Sequence, residues 1–241
     1  RLLFLRERAS GAYGVNAYFT SVVLFDVLVL RVFPPMFFTV VTYPLVGLHG
    51  GSFLVYLARA SWFTLVNVLA NVASSALCMA IGIVTPSNAV ANVCGLMAIL
   101  SSVLSGGFLL NKQNVSGSSV SSSSSAAAAA SHRSPANVFV KVLTKTSFVN
   151  YAYDALLVNE FLDAGTFRFT PKFTDAAGQN ENAGVGVDVS GREVLQFFSF
   201  GDTRAAMRYD VCVLCAIVGA YLAAAFVLLK VSVRRSGAGR G

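Results

Sequence analysis

Charged residues are scarce in this sequence: Asp, Glu, Lys and Arg make up 12% of it, against 55% hydrophobic residues. Soluble domains carry about 25% charged residues. So large a shortage leaves too little polar surface to face water, which argues against a soluble core and for a bilayer as solvent. Histidine is nearly absent, and His49 and His132 are too few and too isolated to build a His-based site. No GxxxxGK[ST] phosphate loop occurs, no HExxH and no nucleophile elbow. The chain therefore encodes no ATP cradle and no zinc protease or hydrolase site: no catalytic residue and no metal-ligand set. A secretory leader, with its basic start, short apolar run and small-residue cleavage site, is also missing. The first residue is Arg1, and the start reads as a cut in a longer chain.

The four cysteines, Cys78, Cys94, Cys212 and Cys215, all lie in apolar runs. Cys212 and Cys215 form a CxxC, which elsewhere suggests zinc or redox chemistry. No further Cys/His cluster supports that here, so they read as small helix-packing residues. Leu104-Ser105-Gly106-Gly107 spells the LSGG of an ATPase signature. It sits in an uncharged apolar segment that continues Phe108-Leu109-Leu110, so that assignment is rejected.

What is present is long apolar runs. From Ala60 to Asn111 there is no Asp, Glu, Lys or Arg. One span needs about 20 residues, so this run folds back once. Thr85-Pro86-Ser87-Asn88 marks the break, because proline ends one helix and Ser87 or Asn88 can cap the next. The expected spans are 28–48, 53–83, 88–110 and a last helix within 206–241. In the first, Pro34-Pro35 predicts a kink, and Asp26 and Arg31 bracket the start. Lys230 near the end of the last span is expected to snorkel to the membrane surface.

The net charge is +7. The basic residues are scattered or flank spans, which suits a membrane surface and not a nucleic acid. Arg1, Arg6 and Arg8 precede the first span, and Lys230, Arg234, Arg235 and Arg240 close the last. The positive-inside rule then places both ends in the cytoplasm, and four spans satisfy the even number this requires. Segment 111–205 becomes a large extracellular loop. Within it the Ser/Ala tract 116–134 is expected to be disordered. Val138 to Phe161 reads as helix, Phe167 to Phe173 as a short strand, Ala176 to Gly191 as a glycine-rich loop, and Val194 to Phe200 as a segment lying against the membrane. Asn114-Val115-Ser116 is a glycosylation sequon close to the span end, which makes Asn114 a candidate acceptor. The carboxylates fall mostly in this loop, with no pair inside the spans. That argues against a proton-coupled carrier or an intramembrane enzyme.

Phe4-Leu5-Arg6-Glu7-Arg8-Ala9-Ser10-Gly11-Ala12-Tyr13, followed by Ala17-Tyr18-Phe19, resembles the F-x-R-E-x-x-x-G-x-Y … Y-F stretch of G-subfamily (white-type) ABC transporters. Val41 to Leu48, Ser105 to Asn111, Tyr151 to Phe161, and Val194-Leu195 with Phe200-Gly201 resemble later motifs of that family in the same order. The resemblance runs from Phe4 to about Arg235. It departs from the family in the Ser/Ala insert and in a loop without cysteine.

This resemblance implies an all-α polytopic membrane protein, its four transmembrane helices equivalent to helices three to six of a six-helix ABC exporter domain. Residues 1–27 would hold a cytoplasmic coupling helix and an interfacial helix. Arg6, Glu7 and Arg8 would contact the ATPase domain. Leu96, Ile99, Leu100 and Val103 share one helical face, and by resemblance that face lines the substrate cavity at a dimer axis. Phe108 and Leu109 fall where the family has a hydrophobic plug. The implied whole is a half-transporter in the plasma membrane. It would pair with a second, identical or different half-transporter and carry an N-terminal ATPase domain that binds ATP and Mg. It would export hydrophobic small molecules such as lipids, sterols or xenobiotics. Two other readings stay open: a membrane subunit served by a separate ATPase chain, and a non-transporting structural membrane partner.

Overall fold

The computed structural model describes residues 14–46, 53–106, 142–162, 165–169, 172–174, 180–182, 187–197, 201 and 203–238. Its elements are α1 (Val15–Val46), α2 (Phe53–Val84), α3 (Asn88–Leu104), α4 (Phe148–Phe161), β1 (Thr166–Phe169), β2 (Lys172–Thr174), β3 (Asn180–Asn182), β4 (Val187–Ser190), α5 (Gly191–Phe197) and α6 (Arg204–Ala238). Helices α1, α2 and α6 are long and apolar enough to cross a membrane. The 17 residues of α3 rise about 25 Å, short of a hydrocarbon core of about 30 Å. The expected span 88–110 continues into residues outside the described set.

Helix α1 differs from expectation at its start. The span expected from residue 28 belongs to one helix that begins at Val15. Its turns between Val23 and Val29 are π-wound, with the Leu30 N–H reaching back to the Phe25 carbonyl. The expected irregularity at Pro34-Pro35 thus has a second, wider-wound stretch upstream. Asp26 lies within it, exposed, as is Arg31. Below this, Ser87 caps α3 as its spacing predicts: its hydroxyl accepts the Val90 N–H at 3.4 Å.

The core forms where α2, α4 and α6 meet. Val66 and Ala73 of α2, Ala152, Ala155 and Val158 of α4, and Met207, Val211 and Leu214 of α6 are buried together. Ala73, Ala76, Ala155 and Ala225 are fully buried. Small side chains let helix backbones approach closely, which is the main source of packing energy where lipid is as apolar as leucine. Gly95 of α3 faces Cys78 of α2: a β-carbon there would lie in ordinary contact, 3.7 Å from Cys78 Sγ. The cysteines themselves are free and exposed. At the far end of α6, Lys230 Nζ lies 4.6 Å over the Phe226 ring, which in turn meets Phe19 of α1 at 5.1 Å.

The segment after α3 holds more structure than expected. Strand β1 pairs antiparallel with β4, and β2 with β3. Part of the expected glycine-rich loop is therefore the return arm of two small ladders, and the expected single strand 167–173 is divided between β1 and β2. The expected membrane-facing segment 194–200 begins as α5, whose Leu195 is 1% exposed in the same core as α4. Tyr151 and Tyr153 of α4 are partly buried, which holds both phenols above their usual range; Tyr209 and Asp210 push Tyr151 the same way. Tyr151 stays protonated and donates to the Lys145 carbonyl at 3.0 Å.

Candidate translocation surface

Only Gly95 and Ser102 of helix α3 are buried. Val90, Val93, Leu96, Met97, Leu100, Val103 and Leu104 are all exposed. At roughly 100° per residue they form one continuous apolar stripe. Gly95 and Ser102, on the other side, are buried against the chain. Three of the four residues assigned to the substrate face lie on this stripe, with Leu96 65% and Leu100 49% exposed. The fourth, Ile99, is half-buried and turns with Val103 toward a cavity of about 490 Å³ between α1, α2, α3 and α4. The four residues therefore share a face whose one edge lines this open groove and whose other edge is exposed.

That cavity has a polar wall that sequence reasoning missed. Asn67, Asn71 and Ser74 of α2 face Pro34, Pro35 and Phe38 of α1 across it. Their spacing of four and three residues in a charge-free run was the available signal. Asn67 and Ser74 are held within α2, and Asn71 reaches across to α1. Asn67 Nδ2 donates to the Phe63 carbonyl at 2.8 Å, and Ser74 Oγ to the Asn71 carbonyl at 2.8 Å. Asn71 Nδ2 donates to the Arg31 carbonyl at 2.8 Å. That carbonyl needs an outside donor because Pro35, four residues on, has no N–H.

A joint ties α3 to α4. Ser105 N donates to the Ser101 carbonyl and Gly106 N to the Val103 carbonyl, so the usual helical partner of the Ser102 carbonyl, Gly106 N, turns to Val103 instead. Ser147 Oγ donates to the Ser102 carbonyl at 2.8 Å and accepts the Asn150 N–H at 3.4 Å, so one hydroxyl joins the end of α3 to the start of α4. Ser105 Oγ also reaches the Ser102 carbonyl, at 3.2 Å. A β-carbon on Gly106 would meet Val149 Cγ1 at 2.9 Å. The expected plug residues Phe108 and Leu109 follow this joint and lie outside the described residues, as do Arg6, Glu7, Arg8 and Asn114.

A second network clamps α4 to α1 and α2. Tyr43 Oη donates to Glu160 Oε1 at 3.1 Å, and Asn159 Nδ2 to the same oxygen at 2.8 Å. Arg59 Nη1 donates to the Asn159 carbonyl at 3.1 Å, and Asn159 Nδ2 reaches the Arg59 carbonyl at 3.2 Å. The Tyr43 ring packs on Tyr56 and Phe63. Among the described residues no group of three or more His, Cys, Asp or Glu could hold a metal ion.

Long apolar helices, packed around an apolar core that the loop segment shares through α4 and α5, define a multi-pass helical membrane protein. The family model of the ABC-2 type transporter matches residues 1–121. The chain is 26% identical over 239 residues to ABC transporter G family member 24 of Dictyostelium discoideum, covering 97% of this chain and 17% of that protein. It is 26% identical over 235 residues to Protein white of Drosophila melanogaster, covering 97% of this chain and 28% of that protein. Over 118 residues, 47% of this chain and 16% of the relative, it is 36% identical to the broad substrate specificity ATP-binding cassette transporter ABCG2 of Sus scrofa. The chain belongs to the ABC-2 type transporter family, as a membrane domain of the G-subfamily kind. It spans less than a third of the length of each of these relatives.

Proposed function

We propose that this chain is the membrane-spanning portion of an ATP-driven exporter of hydrophobic or amphipathic molecules, and that it forms the translocation path together with a second half-transporter. The observation that carries the proposal is the open apolar stripe of α3, from Val90 to Leu104. An uncharged apolar lining selects by shape and hydrophobicity, not by ion pairing, and suits lipids, sterols and xenobiotics. ATP and Mg act in an ATPase domain that this chain does not include, and Arg6, Glu7 and Arg8 receive its motion. Both ends of the chain face the cytoplasm, the protein resides in the plasma membrane, and Phe108 and Leu109 separate inner from outer cavity. Leu96, Ile99, Leu100 and Val103 make up the substrate-facing surface.

The test uses the full-length protein in inside-out vesicles. ATP is expected to drive accumulation of a fluorescent amphipathic probe, with no accumulation when ADP replaces ATP. Leu100→Glu places a charge on the stripe and is expected to reduce accumulation at least tenfold while the protein still reaches the membrane. Equal accumulation with ATP and ADP refutes the exporter reading. Undiminished accumulation by Leu100→Glu removes α3 from the path.

A further inference from the structure

Near the Arg59 network lies a second cavity, of about 340 Å³, between α2, α4 and the start of α6. Its lining has two parts. Arg59, Asn159 and Arg204 form a polar, cationic end, while Leu54, Val55, Trp62 and Leu162 supply much of an apolar wall. Among the described residues no carboxylate lines it. Glu160, which belongs to the neighbouring network, bonds to Tyr43 and Asn159 and is not among the lining residues. Both arginines also engage other groups of the chain. A guanidinium carries five N–H donors in a planar fork, so each can hold the protein and a ligand together.

The placement of these residues in the helices fixes the depth of the site. Arg204 is the first residue of α6, and Arg59 lies in the second turn of α2. Trp62 is one turn deeper than Arg59. Tryptophan is enriched at both membrane–water interfaces, where its amphipathic ring sits at headgroup level. Leu54 and Val55 are exposed at the cavity mouth, where the bilayer meets the protein. Arg59 itself is only 8% exposed, although it lies at the edge of an apolar helix.

We infer that this cavity binds one phospholipid of the adjoining leaflet, its phosphodiester on Arg59 and Arg204 and the upper part of one acyl chain along Leu54, Val55, Trp62 and Leu162. Arginine suits phosphate because its fork donates two parallel hydrogen bonds to two oxygens. The apolar wall favours a lipid over inorganic phosphate, which gains nothing from it. The volume admits a headgroup and the first methylenes, leaving the rest of the chain in the bilayer. The site is separate from the α3 stripe, and it would anchor α4 and the loop end of α6 to the membrane surface.

The experiment is native mass spectrometry of the full-length protein in neutral detergent. It is titrated with phosphatidylglycerol, with a phosphate-free digalactosyl diglyceride of the same chains, and with inorganic phosphate as competitor. Phosphatidylglycerol is expected to be retained at least tenfold more tightly than the galactolipid. Arg204→Gln, at an exposed helix start, is expected to abolish that preference, and Arg204→Lys to keep most of it. Leu54→Asp sets a carboxylate at the mouth and is expected to weaken retention as Arg204→Gln does, which guards against a fold effect peculiar to one variant. Equal retention of the two lipids overturns the inference, and so does unchanged phosphatidylglycerol retention by both Arg204→Gln and Leu54→Asp. Displacement by inorganic phosphate at the same concentration as lipid shows a simple anion site and overturns the lipid assignment. ATP-driven accumulation is a separate readout, so failure here leaves the exporter reading standing.

Discussion

Pro35 makes Asn71 necessary. A proline in a bilayer leaves the carbonyl four residues before it without a partner, and no water is present to take its place. Asn71 Nδ2 fills that role for the Arg31 carbonyl at 2.8 Å. Asn71→Leu is therefore expected to lower stability by about 1 kcal/mol, the usual scale of an interhelical hydrogen bond in a membrane. A Pro35→Ala background restores an N–H to that carbonyl, so the same substitution should cost much less there. Thermal unfolding of the four full-length proteins measures the coupling. Equal costs in both backgrounds would show that Asn71 acts through cavity packing instead. The prolines were legible from the sequence, and so was the need to re-satisfy carbonyls. The donor was not, because a residue 40 positions away is matched by helix packing and not by local pattern.

At the scale of elements, the joint between α3 and α4 and the clamp of α4 on α1 and α2 determine how the loop segment sits on the spans. Gly106 leaves no room for a β-carbon: Val149 Cγ1 would be 2.9 Å away and the Val103 carbonyl 3.1 Å. Gly106→Ala is expected to destabilise the protein by about 1–3 kcal/mol, as overpacking does. Val149→Ala in the same protein should recover most of the loss. No recovery would locate the strain at the Val103 carbonyl. In the clamp, Glu160 accepts from both Tyr43 and Asn159. Glu160→Gln keeps an acceptor oxygen, and Glu160→Ala leaves the Tyr43 hydroxyl without this acceptor and Asn159 with only the Arg59 carbonyl, at about 1–3 kcal/mol for an unmatched buried group. Melting temperatures should fall in the order wild type, Gln, Ala, and a Gln variant as unstable as Ala would show that the negative charge, not the acceptor, holds the clamp. The break at Thr85-Pro86-Ser87-Asn88 and the α4 helix could be read from sequence because caps and apolar runs are local signals. The hairpin partners β3 and β4 could not, since their strand identity comes from pairing with β2 and β1 and their own composition is that of a loop. Arg59 was passed over for a related reason: it lies one residue before the charge-free run, where it reads as a boundary, and only the fold brings it to Asn159.

For the whole molecule, the question is what covers α3. A helix in a bilayer can leave an apolar face on lipid at no cost, so exposure alone does not require a partner. The pattern is more specific than exposure. Val93, Leu96, Leu100 and Val103 recur at intervals of three, four and three, the spacing that keeps a seam facing a second helix. Gly95 and Ser102, between them in sequence, are buried against the chain's own helices. If two copies meet at this seam, single cysteines introduced along α3 of a full-length protein lacking other cysteines should cross-link in native membranes with that period. Yields are expected to be highest at 93, 96, 100 and 103 and at background for 95 and 102. If the seam belongs to the proposed transport cycle, a non-hydrolysable ATP analogue should shift the yields at 100 and 103 against those at 93 and 96. Cross-linking that is uniform along α3 would mean random collision in the membrane. A periodic pattern insensitive to nucleotide would keep the dimer and separate it from the transport cycle.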